Sequence, residues 1–162
     1  MKTVVGLILG VALLVGGGAA QAFDEKHVKK LKAAQGANLL GTGVWCEGCD
    51  LSEAVLEGAK LRKANLEGAN FEKAILRRAD LSEANLTKAN LSGANLGGAE
   101  LMEANLTNAN LSGAQLYGAI LWEANLTGAD LTDAKNLKKA ELDGAILCKT
   151  KMPWGEDNSG CK

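Results

Sequence analysis

The chain has 162 residues, with 18 basic and 19 acidic side chains, 4% aromatic residues, four cysteines and a single proline, Pro153. A net charge of −1 excludes both the basic excess of a nucleic-acid binder and the acidic excess of a polyanion mimic. With so few rings the core must be built from leucine and alanine, and the length suits one domain.

Residues 1–22 read as a secretory signal peptide: Lys2 supplies the positive start, Val4 to Val15 is apolar apart from glycine, and Ala20-Gln21-Ala22 is a small-x-small cleavage site. An uncleaved anchor is the alternative, although the run is short beside a spanning helix of about 20 residues and no cysteine follows the site to accept a lipid. Cleavage leaves a chain starting at Phe23 with a formal charge of −2, exported to the periplasm, the exterior or another extracytoplasmic compartment, with no stable membrane insertion.

Residues 23–36, FDEKHVKKLKAAQG, form a short helical cap, with Asp24 as N-cap, Phe23 stapled onto Val28 and Gly36 as the stop. Val28, Leu31 and Gln35 share one stripe, which is expected to lie on the first coil of the repeat region. His27, the only histidine, falls on this helix, where a surface or packing role is the ordinary one.

Residues 37–50 enter the first repeat and contain Cys46 and Cys49, which sit in the central and alanine slots of the five-residue register. In an exported chain a local Cys46–Cys49 disulfide is the first choice. A redox motif lacks its βαβ context here, and a zinc site needs two further ligands, for which only His27 and Asp50 are near.

From Leu51 to Leu131 an apolar residue recurs every five positions, leucine throughout except Phe71, and alanine stands two residues before nearly every one. A five-residue step turns an α-helix by about 140°, so these leucines would wind around the cylinder and make no apolar face. In a straight strand an odd step sends successive leucines to opposite faces, which excludes a simple sheet as well. The pattern fits a backbone that bends after each short extended piece, with Ala and Leu inward and three residues outward: a β-solenoid stacked at about 4.8 Å per coil. EANLT returns at 83–87, 103–107 and 123–127, and ANLSGA at 89–94 and 109–114. A lag of twenty makes four pentapeptides per coil the natural reading, and a duplication of twenty residues would give the same echo. The solenoid spans 51–147 in about five coils, a rod of about 24 Å. DAKNLKKAEL at 133–142 carries one extra residue, placing Leu137 rather than Asn136 at the centre and bulging a corner.

Residues 148–162, CKTKMPWGEDNSGCK, leave the repeat for a turn-rich flap expected to close the far end. Cys148 and Cys161 bracket it, and a bridge between them would tie the tail to the last coil.

Runs such as ANLTKANLSGANLGGAELMEANLTNANLSGA resemble the pentapeptide-repeat family, whose A(D/N)LXX motif the chain follows from about Cys49 to Leu147. The resemblance implies an all-β, right-handed, four-sided β-helix. It also raises a DNA-mimicking topoisomerase inhibitor, which the signal peptide and a mature charge of −2 disfavour.

A twenty-residue coil stacks the outward residues into columns. Asn65, Asn85, Asn105 and Asn125 form one polar ladder beside Thr87, Thr107 and Thr127, and Asn70, Asn90, Asn110 and Asp130 form another, able to hydrogen-bond along the stack. The five Asn-Leu-Ser/Thr sequons arise from the repeat itself and are weak evidence of glycosylation. A further side runs from Lys60, Arg62 and Lys63 through Asp80, Glu83, Glu100 and Glu103 to Ile120, Trp122 and Glu123, where calcium is the alternative to carboxylates fanned into water. Met102, Tyr117, Ile120 and Trp122 gather the outward apolar residues at one corner, a candidate interaction patch.

A leucine-filled solenoid has no interior cleft, and no serine or cysteine has a base in a defined pocket, so no catalytic, cofactor or metal residue is assigned. The sequence therefore predicts a non-enzymatic exported scaffold that meets an unidentified protein partner, with a homodimer left open and nucleic acid excluded. A carbohydrate- or calcium-binding surface protein is the alternative.

Overall fold

The computed structural model of the chain describes residues 46–161. The expected signal peptide, the helical cap with His27 and residues 37–45 of the entry segment lie outside the described residues. Among the described residues no helix is long and apolar enough to cross a membrane.

Four parallel pairings recur within each twenty residues: Asp50 with Asn70, Val55 with Ile75, Lys60 with Asp80 and Asn65 with Asn85, then the same sides again one coil further on. The chain therefore winds as a four-sided coil, and the twenty-residue echo is one full turn of it. Each side is so short that its pairing is a single bridge rather than a strand.

Three kinds of bond build every repeat. The central leucine donates its N–H to the next coil, as Leu86 does to Asn105 O at 2.8 Å, and the residue before it donates to the previous coil, as Asn85 does to Ala64 O at 2.9 Å. The corner is closed by the following alanine, as Ala89 N–H donates to Leu86 O at 3.0 Å. The residue just before that alanine adopts positive φ, 58° at Lys88 and 65° at Gly113. Glycine takes this slot in many repeats because left-handed backbone costs other residues about 1 kcal/mol or more.

A further bond, from backbone to side chain, explains the Asn or Asp of the motif. The N–H two residues after it takes no part in the ladder, and the side-chain oxygen accepts it: Thr87 N–H on Asn85 Oδ1 at 3.2 Å, Ser92 on Asn90 at 3.2 Å and Thr132 on Asp130 at 2.9 Å. An Asx turn thus satisfies a donor that each corner would otherwise leave to water.

Inside, the leucines and alanines from Leu66 to Leu131 form a continuous shielded column, with Phe71 its largest member. Alternating large and small side chains fill the narrow bore without a layer of rings. Cys46 and Cys49 occupy the inward slots at the front of this column and are joined in a disulfide.

At the back the register changes. Gln115 pairs with Lys135 across twenty residues, but Asn125 pairs with Ile146 and Asp130 with Lys151 across twenty-one. The extra residue is absorbed between these pairs, where Asn136 has φ 62° and Lys139–Leu142 makes one turn of 3-10 helix. Leu142, Leu147 and Met152 then return to buried positions.

The parallel register continues past Leu147 into β1, Thr150–Met152, which pairs antiparallel with β2, Gly155–Asp157. Thr150 is fully buried and spends its hydroxyl on Leu126 O at 2.8 Å. Gly160 donates its N–H to Leu147 O at 2.7 Å, so close that a Cβ on it would stand 2.7 Å from Leu147 N. A disulfide joins Cys148 to Cys161 and holds this tail in place.

Candidate interaction surface

Because the inward residues hardly vary from coil to coil, any selective surface lies in the outward columns. The side centred on Leu61, Leu81, Leu101 and Leu121 stacks Lys60, Asp80, Glu100 and Ile120 in one column, paired coil to coil. Arg62, Ser82, Met102 and Trp122 stack beside them, as the bonds from Lys63 N–H to Ser82 O and from Glu103 N–H to Trp122 O require.

The front of this side is an ion cluster. Glu83 receives Arg62 at 2.6 Å and Lys63 at 3.2 Å from the coil below. The hydrogen bond from Arg62, and then that from Lys63, hold the Glu83 carboxyl below the ordinary range, and the same bond raises Arg62. Asp80 spends Oδ1 on the N–H of Ser82 at 3.1 Å. Among the described residues no group of three or more His, Cys, Asp or Glu side chains could hold a metal ion, so the calcium alternative gains no site from the acidic column.

Ser82 lies buried in this column, and its hydroxyl has no hydrogen-bond partner among the described residues. Nothing in the sequence marks it, because serine at an outward slot reads as solvated.

Toward the back the side turns apolar. Trp122 is 49% exposed and Tyr117, around the corner, 71%, while Met102 and Ile120 are half-buried. The four residues expected as a patch thus lie on neighbouring columns of adjacent coils. Val55 with Ile75, Ile146, and Trp154 in the turn between β1 and β2 are further exposed apolar residues.

The polar ladders have a more local use than the sequence suggested. Asn85 Nδ2 donates to Asn65 Oδ1 at 3.0 Å and Asn90 Nδ2 to Asn70 Oδ1 at 3.0 Å, so amides do link coils. The threonine hydroxyls work within their own coil, Thr87 on Asn85 at 2.7 Å and Thr107 on Asn105 at 2.6 Å. Asn125, in the same column, accepts the N–H of Thr127 at 3.0 Å. An expectation of hydroxyl chains running along the stack is therefore replaced, at Thr87 and Thr107, by bonds that brace each corner.

A four-sided solenoid with a bore filled by leucine and alanine and with freely varying outward residues defines a repeat scaffold, whose chemistry is surface recognition. The chain belongs to the pentapeptide repeat family, whose model matches in eight copies over residues 49–87, 84–122 and 109–150. Its solved relatives imply a right-handed quadrilateral β-helix.

A pentapeptide repeat protein from Nostoc Pcc 7120 is 31% identical, over 62% of this chain and 82% of its own, with a TM-score of 0.54. One from the cyanobacterium Cyanothece 51142 is 27% identical, over 83% of this chain and 95% of its own, with a TM-score of 0.50. A third, from the thylakoid lumen of Arabidopsis thaliana, is 38% identical over 59% of this chain and 69% of its own, with a TM-score of 0.48. No curated protein is a significant match. Members of the family are in general structural or interaction proteins rather than enzymes.

Proposed function

We propose that the chain is a non-enzymatic, exported interaction scaffold of about five coils that offers the Met102, Tyr117, Ile120 and Trp122 corner to a protein partner. The exposure of Tyr117 and Trp122 carries the reading: large aromatic side chains outside a core are characteristic of interface centres, and this chain has few to spend. Export is supported by the Lys2, Val4 to Val15 and Ala20-Gln21-Ala22 pattern together with two disulfides, which persist in oxidising compartments. Residues 23–36 and 148–162 are the caps of this layout and 51–147 the repeat body.

The test is capture from an extracytoplasmic extract by the oxidised protein, a Tyr117→Ala/Trp122→Ala variant and a control, Lys88→Ala/Asn108→Ala, altered on another side. A partner retained by the control and lost by the corner variant supports the reading. A partner retained by both, or no specific partner at all, overturns it.

A further inference from the structure

The side centred on Leu76, Leu96 and Leu116 carries an arrangement that the apolar corner does not use. Its outward column presents Glu57, Arg77, Gly97 and Tyr117 on successive coils, and the next column Gly58, Arg78, Gly98 and Gly118. The stacking is set by Gly58 N–H on Arg77 O at 2.8 Å, Arg78 N–H on Gly97 O at 3.0 Å and Gly98 N–H on Tyr117 O at 2.8 Å.

Gly97 and Gly98 make a strip of bare backbone one coil deep. The stems of Arg77 and Arg78 lie against its lower edge, since a Cβ on Gly97 would stand 3.9 Å from Arg77 Cγ and one on Gly98 3.6 Å from Arg78 Cγ. Tyr117 stands above it, two steps of about 4.8 Å from Arg77. Asn95 lies along the edge of the strip, its Oδ1 accepting the N–H of Gly97 at 3.2 Å and standing 3.2 Å from where a Cβ on Gly97 would sit.

Both arginines are exposed, and among the described residues neither forms an ion pair, although Glu57 stands one coil below Arg77 in the same column. Arg62, Lys63, Lys73 and Lys151 each have a carboxylate, whereas Lys60 and Lys88, like the two arginines, form no ion pair among the described residues. Two exposed arginines at successive positions, their stems against an open backbone floor and an exposed tyrosine one coil beyond it, suit an anion that also has a flat apolar face.

We infer that this strip binds a carboxylated polysaccharide lying along the solenoid axis, with Arg77 and Arg78 holding a carboxylate and Tyr117 stacked on a sugar ring further along. Guanidinium forks match carboxylates in two-point geometry, and tyrosine offers a rigid apolar face. A pyranose chain advances by about one coil spacing per ring, so successive rings meet the arginines, the glycine floor and Tyr117 in step. An extended peptide advances about 3.3 Å per residue and places same-side groups about 6.6 Å apart, which drifts out of register with the coils. The site shares Tyr117 with the proposed protein-binding corner and is otherwise separate from it.

The experiment is a calorimetric titration of the oxidised protein with oligogalacturonate, its methyl ester and inorganic polyphosphate, at two salt concentrations. Oligogalacturonate is expected to bind, the neutral ester about tenfold more weakly, with the difference shrinking in high salt. Arg77→Ala/Arg78→Ala should lose about tenfold, Arg77→Lys/Arg78→Lys should recover only part of it, and Tyr117→Ala should lose about fivefold. Trp122→Ala should leave this binding unchanged while weakening partner capture, so the two surfaces fail independently. All these side chains are exposed, and an unchanged thermal midpoint establishes that each variant is folded. Equal affinity for polyphosphate with no effect of Tyr117→Ala would reduce the strip to a charged patch and overturn the inference, as would absence of oligogalacturonate binding.

Discussion

The middle of the rod and its C-terminal end are held together by different means. From Leu66 to Leu131 the same bonds return in every coil, and removing one side chain leaves identical neighbours above and below. From Asp133 to Cys161 the parallel ladder persists only as far as Lys151. Features found nowhere in the middle join it: a register shift, a 3-10 turn, a two-stranded hairpin, a close contact of glycine with backbone and a disulfide that ties down the tail. A repeat array gains stability from nearest-neighbour stacking, whereas its last coil lacks one neighbour and needs particular devices in its place.

The largest effect should come from breaking the middle. Leu101→Lys puts an unpaired charge into a fully buried slot and should cost more than about 4 kcal/mol in urea unfolding, enough to melt the central coils. Glu103→Lys, two residues on and exposed, should change stability by less than about 0.5 kcal/mol. Equal effects would mean that the inward register is wrong.

Opening the end should cost less and stay local. Cys148→Ser/Cys161→Ser reopens a loop of sequence separation 13 and should cost about 3 kcal/mol at the hairpin by the chain-entropy estimate. Hydrogen exchange should then lose protection in β1 and β2 but keep it at Leu86 and Leu106. Gly160→Val should reproduce that pattern, because its side chain would meet the backbone of Leu147.

Within the coils, Asn85→Ala removes the acceptor of the Thr87 N–H and hydroxyl and should cost about 1–2 kcal/mol by thermal unfolding. Ser82→Ala should raise stability by about 1 kcal/mol, since it removes a buried hydroxyl with no partner among the described residues.

The smallest effect concerns acid. The Thr132 hydroxyl, its N–H and Lys151 hold the Asp130 carboxyl low, against an opposing desolvation. A depressed carboxyl contributes stability above its unfolded value of about 3.9 and loses it as pH falls through the lower folded value. The part due to the exposed Lys151 pair should be about 0.5 kcal/mol after solvent screening, seen as a smaller acid shift in Lys151→Ala.

Much of the middle was legible because its period rules out the other regular structures. Leu66, Ala69 and Phe71 are buried where the five-residue spacing puts them, and the lag between copies of EANLT is the coil itself. The corner chemistry is equally present in the sequence but less visible. Glycine before alanine in SGA and TGA marks the positive-φ slot, and the Asn before leucine marks an N–H that needs an acceptor. Both are backbone demands, which hydrophobic periodicity does not register. The end was legible only in outline, because the disulfide partners flank the flap visibly while the fit of Gly160 against Leu147 depends on where the tail returns. The arginine and glycine strip escaped because each residue is ordinary alone, and only stacking places Arg77, Gly97 and Tyr117 in one column.

If inward and backbone-bonded residues carry the fold while a few outward ones carry the function, the two should separate in a single variant. The decisive measurement takes the unfolding midpoint and partner capture on the same sample of Tyr117→Ala/Trp122→Ala. An unchanged midpoint with capture lost is the expected result. A midpoint that falls together with capture, or capture that survives, would contradict that division of labour.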